Sequence, residues 1–417
     1  MKRLILAGAG HAHAQVLKDW ITQPVPGTEL LVVSPSPLAP YSGMVPGWMA
    51  GRYAFDEICI DFAALCRAAG ARFLTDECSR LDADQNRLVL HSGAALDYDR
   101  LSLNIGSTLR PPVAPAGSGV QVLSLRPLGE LRAAWEGLLA TLVQQPPQQP
   151  PQQPTQQPPQ QPPQQPAQHR PLRRLLRITA VGGGAAGIEA LLAVCARLAA
   201  LQPAWKLQPT LISRSPTLLP GMGRGAAERA AAALHRAGAA LRLNSAFDAH
   251  SLAETDVLLW ATGAQAHAWP GRSGLAVNPQ GFVCIDAQLR SVSHPNVFAV
   301  GDCADWTGTG AGTAPAAAGA TADSNPALPK AGVFAVRMGP VLSHNLRASL
   351  QGTALLPHRP RRRYLALLAT ADGSAVAAWS GLAAQGPWVW RWKDRIDRRF
   401  LARFHTPAAA DPHPTTP

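Results

Sequence analysis

HPNVFAVGDCADW (294–306) is a short apolar run that stops at Gly301-Asp302, and its reading decides how the chain is assembled. Residues 296–300 have the length and apolar content of a buried strand. A glycine at the end of such a strand lets the backbone come close to another group. The carboxylate after it accepts hydrogen bonds from hydroxyls. A Gly-Asp turn alone is commonplace. It gains meaning from two glycine-rich stretches upstream, GAGHAH (8–13) and GGGAAG (182–187).

Each of those stretches lies between a predicted strand and a predicted helix, as a dinucleotide fold requires. Residues 3–7 lead into Gly8 and Gly10, and a helical run from His11 continues to about residue 20. Gly8 permits the tight turn, and Gly10 lets a pyrophosphate reach the free N–H groups of the helix. His13 stands where the third glycine of G-x-G-x-x-G belongs. The second copy is complete, with Gly182, Gly184 and Gly187 between a strand at 175–181 and a helix at 188–201. The strand at 29–33 ends in Ser34, where an acidic residue for the adenosine ribose is usual. The strand at 210–212 ends in Ser213-Arg214, and an arginine there suits a 2′-phosphate, which leans the reading toward NADPH over NADH. DVLLWATG (256–263) closes the second unit at Gly263. With both loops in place, Asp302 reads as the ribityl contact of a flavin. The candidate FAD residues are Gly8, Gly10, His11, Ser34, Gly301 and Asp302. Those for NAD(P)H are Gly182, Gly184, Gly187, Arg214 and Gly263. PYSGMVPGWMAG (40–51) is expected as a loop lining the cofactor.

The fold class is therefore α/β, with two Rossmann-like units and a C-terminal cap. An FAD domain spans 1–125 and resumes at 291–358, with an NAD(P) domain at 171–290 between its parts. The cap covers 359–404. Residues 144–170 are nearly pure Pro/Gln and read as a solvated linker. A flexible insertion at 306–329 and a disordered tail at 405–417 complete the division. The chain has 417 residues and a net charge of +12. Ten Lys/Arg against three Asp fall in residues 359–404, a patch suited to an anionic surface. Nucleic acid is disfavoured, since no recognised fold for it accompanies the patch. Six cysteines without a C-x-x-C exclude a disulfide framework, a zinc site and a dithiol motif, and point to a reducing cytoplasm. Cys303 reads as a buried thiol, with a reactive role as the alternative. No apolar run is long enough to span a membrane. MKRLILAGAGHAHA imitates a signal peptide, but its apolar part is short and broken by glycines, so no cleavage is expected. In the helix expected at 386–404, Trp388, Trp392, Ile396, Phe400 and Phe404 form one stripe, with arginines over much of the rest. That pattern fits a helix lying in a membrane surface at its inner face, or one packing on its own protein.

GAGHAHAQVL, PYSGMVPGWMAG, GGGAAGIE, FAVGDCA, PKAGVFAVRMGPVL and WRWKDRIDRRF resemble stretches of the pyridine nucleotide-disulfide oxidoreductase superfamily. The chain is more similar to its type II NADH dehydrogenase branch, and most to a subgroup found beside or fused to selenide, water dikinase. The resemblance implies FAD in the first unit and a nicotinamide cofactor in the second, with electrons passed to an acceptor such as a quinone. It places Lys330, Ala331 and Gly332, at the start of a helix expected over 330–350, near the flavin's pyrimidine end. There Lys330 either adds positive charge or is simply solvated. Glu189 is read as a catalytic carboxylate or as an acid complementing a helix N-terminus. The departures are Ser34 for the usual acid and the absence of a redox dithiol, and Arg337-Met338 stands where the branch carries a glutamine pair beside its quinone. The alternative function is a reductase of selenium or sulfur metabolism using Cys303 or Cys59, or a non-catalytic flavoprotein partner of the dikinase.

Overall fold

The computed structural model describes residues 1–144, 175–203, 205–306, 330–359 and 364–405. Nearly all of the expected linker and insertion, and all but His405 of the tail, lie outside the described residues.

Two five-stranded parallel sheets organise the chain. The first runs Val297–Ala299, Arg100–Leu103, Lys2–Ala7, Thr28–Ser34, Arg72–Thr75. The second runs Gln121–Ser124, Val257–Trp260, Leu175–Val181, Lys206–Ile212, Ala240–Arg242. Strands covered on both faces must be apolar throughout, and Leu4 to Ala7 and Val257 to Leu259 are fully buried. The strand that opens on HPNV thus pairs with Arg100–Leu103, at the edge of the sheet begun by the N-terminus. The first unit is assembled from both ends of the chain, as expected.

The expected boundary at residue 125 is displaced. Gln121–Ser124 pairs with Val257–Trp260, so it belongs to the second sheet. The stretch 40–51 is also not all loop. It begins on the strand Leu38–Pro40 and contains the helix Val45–Met49, with Pro46 in its first turn, where a missing N–H costs nothing. Helix Gly332–Gln351 crosses helix His11–Thr22 at Gly339, where a Cβ would lie 3.0 Å from Gln15. That crossing fastens the returning segment to the first unit.

The cap is more than a helix. Ala366–Ala369, Ala375–Trp379 and Leu382–Gly386 form an antiparallel sheet, followed by helix Pro387–Ala402. The expected stripe divides along this helix. Phe400 and Phe404 are buried, whereas Trp388, Trp392 and Ile396 are 52%, 40% and 38% exposed. The buried face of the helix instead holds Val389, Lys393, Asp397, Phe400 and Leu401. Among the described residues no helix is long and apolar enough to cross a membrane, and no cluster of His, Cys, Asp and Glu could hold a metal.

Candidate functional site

Both glycine loops sit where a parallel strand meets a helix. In the second, Gly182 has φ +128° and its N–H donates to Ile212. A Cβ on Gly187 would lie 2.1 Å from the Gly182 carbonyl, so only glycine lets helix Ala185–Leu201 close on the strand. Gly184 caps that helix in an extended conformation and would meet nothing within 4 Å. Its open face is the approach a pyrophosphate needs. Ser213 is buried against Gly183, and Arg214 is exposed beside it. Gly263, at φ +73°, follows the neighbouring strand Val257–Trp260.

In the first loop Gly8 has φ +96°, and Gly10 caps helix His11–Thr22. Asn104, which the sequence did not single out, explains both glycines. A Cβ would come 2.5 Å from the Asn104 carbonyl at Gly8 and 2.1 Å from its side chain at Gly10. The Asn104 amide accepts from Ala12 N–H at 3.1 Å and donates to the Val300 carbonyl at 3.1 Å. It therefore ties the first loop to the strand that delivers Gly301-Asp302. His13, in the third-glycine position, is a buried strut. Its Nδ1 lies 2.7 Å from the Gly8 carbonyl and its Nε2 2.8 Å from Ser102 Oγ. A carbonyl only accepts, so Nδ1 donates and the neutral ring accepts from the serine. Burial lowers its pKa to about 4, which keeps the ring neutral. His11 is neutral for the same reason. Its Nε2 is buried with no partner among the described residues, an orphaned polar atom at the mouth of the loop. Ser34 is buried at the end of the adjacent strand, and Gly8 N–H donates to Val33 at 2.8 Å.

Gly301 adopts φ +70° with its N–H on Met338 Sδ, 3.4 Å away. Asp302 is held by Arg126, a second residue the sequence did not reveal. The same guanidinium donates to Ser107 Oγ at 2.5 Å and to the Lys330 carbonyl at 3.0 Å. Arg126 follows a strand of the second sheet, so it couples the two units at the candidate flavin contact. Ala331 caps helix Gly332–Gln351, and a Cβ on Gly332 would lie 2.5 Å from Ser42 Oγ. The helix N-terminus thus abuts the 40–51 stretch. Lys330 is not solvated. It donates to the Ala304 carbonyl at 2.5 Å, its Nζ lies 3.9 Å from the Phe282 ring centroid, and burial lowers its pKa.

Glu189 departs from the helix-terminus reading. The helix begins at Ala185, so Glu189 lies beyond its first turn, and its carboxylate accepts from Ala369 N–H of the cap at 2.7 Å. Burial raises its pKa to about 7, and the nearby Lys393 ammonium opposes that rise. Lys393 is only 4% exposed and donates to Asp397 at 2.6 Å and to the Gly43 carbonyl. The Tyr41 hydroxyl also donates to Asp397. A narrow crevice lined by Pro46, Gly47, Ala50 and Trp390 reaches Glu189. The cap therefore inserts charged groups between the 40–51 stretch and the second helix. None of this was apparent from the arginine-rich sequence.

The family model for pyridine nucleotide-disulphide oxidoreductases matches residues 2–322. The nitric oxide reductase FlRd-NAD(+) reductase of Salmonella typhi is 33% identical over 153 residues, covering 33% of this chain and 38% of the relative. The matched segment thus spans well under half the length of that curated relative. Among solved structures, the sulfide:quinone oxidoreductase of Aquifex aeolicus superposes with a TM-score of 0.70 at 15% identity, covering 97% of this chain and 91% of the other. NDH2 of Plasmodium falciparum, in complex with NADH, superposes with a TM-score of 0.68 at 13% identity, covering 97% of each chain. At these identities the likeness is one of fold.

Proposed function

The chain belongs to the pyridine nucleotide-disulphide oxidoreductase family, and from that premise we propose that it is an FAD-dependent NAD(P)H oxidoreductase. The observation that carries the reading is the pairing of two glycine-capped helix N-termini, one per parallel sheet, with Gly301-Asp302 beside the first. FAD, when bound, supplies the two-electron chemistry. The residues fit it. The first loop offers helix N–H groups to a pyrophosphate, the buried His11 Nε2 awaits a partner, and Asp302 is an acceptor for ribityl hydroxyls. Arg126 positions Asp302 and screens its charge. The protein's own share of the reaction is to hold nicotinamide and flavin rings together, which lowers the entropic barrier. The exposed Arg214 beside Ser213 favours NADPH as donor.

We assign Glu189 to proton transfer at the acceptor side. A carboxyl with a pKa near 7 both gives and takes a proton at neutral pH. The crevice beside it is apolar on several sides but too narrow to admit a water, so an acceptor ring does not enter it as it stands. The exposed Trp388, Trp392 and Ile396, interleaved with exposed Arg391, Arg395 and Arg399, support docking on an anionic bilayer from which a quinone would come. Burial raises Cys303 to about 11 and Cys59 to about 12, which disfavours the thiolates that the selenium or sulfur alternative would use, and Cys→Ser variants that keep activity would remove its residue basis.

Anaerobic titration of the FAD-loaded protein with NADPH and then NADH tests the proposal. Bleaching of the flavin absorbance by either donor is expected, NADPH acting at the lower concentration. Bound flavin that neither donor bleaches would overturn it. For the membrane contact, sedimentation with phosphatidylglycerol vesicles should be lost when Trp388 and Trp392 are both replaced by serine.

A further inference from the structure

A second cavity, of about 320 Å³, lies between residues 48–54 and the helices Leu128–Gln144 and Ala185–Leu201. Its walls include three buried aromatic side chains, Trp48, Tyr53 and Trp135. Its polar lining is two guanidiniums, Arg52 and Arg197, and one carboxylate, Glu136. The carboxylate is engaged elsewhere, by Arg132 at 3.0 Å. The guanidiniums have no acidic partner among the described residues.

Both guanidiniums are nonetheless held. Arg52, itself exposed, donates to the Ala371 carbonyl at 3.2 Å and lies 5.2 Å from the Trp390 ring centroid, which leaves its other donors open to solvent or a ligand. Arg197 is half-buried against Gly51, which has φ +78°. A Cβ there would come 2.4 Å from Arg197 Nη1. A half-buried guanidinium without a counter-ion retains several N–H donors in a geometry that matches a carboxylate. The volume is at the small end of the ~300–1,000 Å³ range of ligand pockets, too little for a dinucleotide.

We propose that this cavity binds a small planar aromatic carboxylate, its ring against the tryptophan walls and its charge on Arg197 and Arg52. The site is separate from both glycine loops, and it shares Arg52 with the wall of the crevice at Glu189.

Ligand-observed saturation-transfer NMR on the full-length protein tests it, with 1-naphthoate, neutral 1-naphthol and acetate as probes. Naphthoate should bind at least about tenfold tighter than either comparator, since charge and ring each contribute. Arg197→Gln should bring naphthoate to the level of naphthol. Arg224→Gln, at an exposed arginine outside the cavity lining, should leave it unchanged. An unaltered melting temperature for Arg197→Gln shows that the loss is local, and if that variant fails to fold, Arg52→Gln replaces it. Equal binding of naphthoate and naphthol, equal binding of naphthoate and acetate, retention by the folded arginine variant, or no saturation transfer at millimolar probe would each overturn the assignment.

Discussion

Replacing Lys393 with methionine tests whether the cap is anchored by a buried charge. Lys393 and Asp397 are 4% and 5% exposed and 2.6 Å apart. Methionine keeps most of the side-chain volume but leaves Asp397 ionised in the interior, with Tyr41 as its remaining donor. Removing one partner of such a pair costs about 3–5 kcal/mol. Asp397 is already pushed upward by burial, and Lys393 opposes that shift. Without the ammonium the folded-state pKa rises further above its unfolded value. The deficit should then be smallest at acid pH and should deepen as pH rises through that pKa. The double variant Lys393→Met/Asp397→Leu removes both charges and leaves only the Gly43 carbonyl and Tyr41 hydroxyl to satisfy, a loss of roughly 1–3 kcal/mol. Urea denaturation followed by tryptophan fluorescence measures all three proteins. Arg224→Met serves as control, since its pair with Glu228 is 92% and 59% exposed and should be worth under about 1 kcal/mol. If Lys393→Met costs no more than this control, or if the double variant is as unstable as the single one, the buried pair is not the anchor.

Two glycine variants should separate folding from binding. Gly187→Ala forces a methyl against the Gly182 carbonyl and should destabilise the chain by about 1–3 kcal/mol on thermal melting, while wild-type stability would refute the close approach. Gly184→Ala meets nothing in the protein and should melt normally yet bind NADPH more weakly by calorimetry, so unchanged affinity would remove this loop from the nucleotide site. Two further variants should tilt the stability-pH profile in opposite directions. Glu189 is raised from 4.5 to about 7, so its stabilising contribution is complete below pH 4.5 and is lost as pH rises to about 7, about 3 kcal/mol in all. Glu189→Gln should abolish that decline. His13 is lowered from 6.5 to about 4, so its contribution is present above pH 6.5 and is lost as pH falls toward 4. His13→Leu should remove up to one proton from acid unfolding, and parallel profiles for wild type and either variant would contradict the assigned burial.

What was legible in the sequence is what short spacing encodes. Each glycine loop lies within a few residues of the strand and helix it joins, so Gly8, Gly10, Gly182, Gly184 and Gly187 could be placed from local pattern alone. The Gly301-Asp302 turn was legible for the same reason. Asn104 and Arg126 were not, because their roles depend on contacts 92 and 176 residues away, and neither residue type is unusual in its local setting. The boundary at 125 failed on the same ground. A strand of four residues carries too little periodicity to say which sheet it joins, and only pairing with Val257–Trp260 decides it.

The cap helix shows how a correct pattern can give an incomplete conclusion. Five aromatic and aliphatic residues at intervals of four do mark one face, but hydrophobicity alone assigns that face to a single environment. Here the face bends between two environments. Phe400 packs 4.6 Å from the Tyr41 ring, beside the first loop, whereas Trp388 and Trp392 stack on each other in the open. Meanwhile Lys393 and Asp397, which would be placed in solvent by composition, are inside because Gly43, Tyr41 and each other satisfy them. A buried ion pair contributes little net stability compared with apolar packing, but it tolerates few alternative registers. One helical turn of slippage would strand both charges. The pair therefore fixes where the cap sits, and with it the Ala369 N–H that holds Glu189 at the crevice.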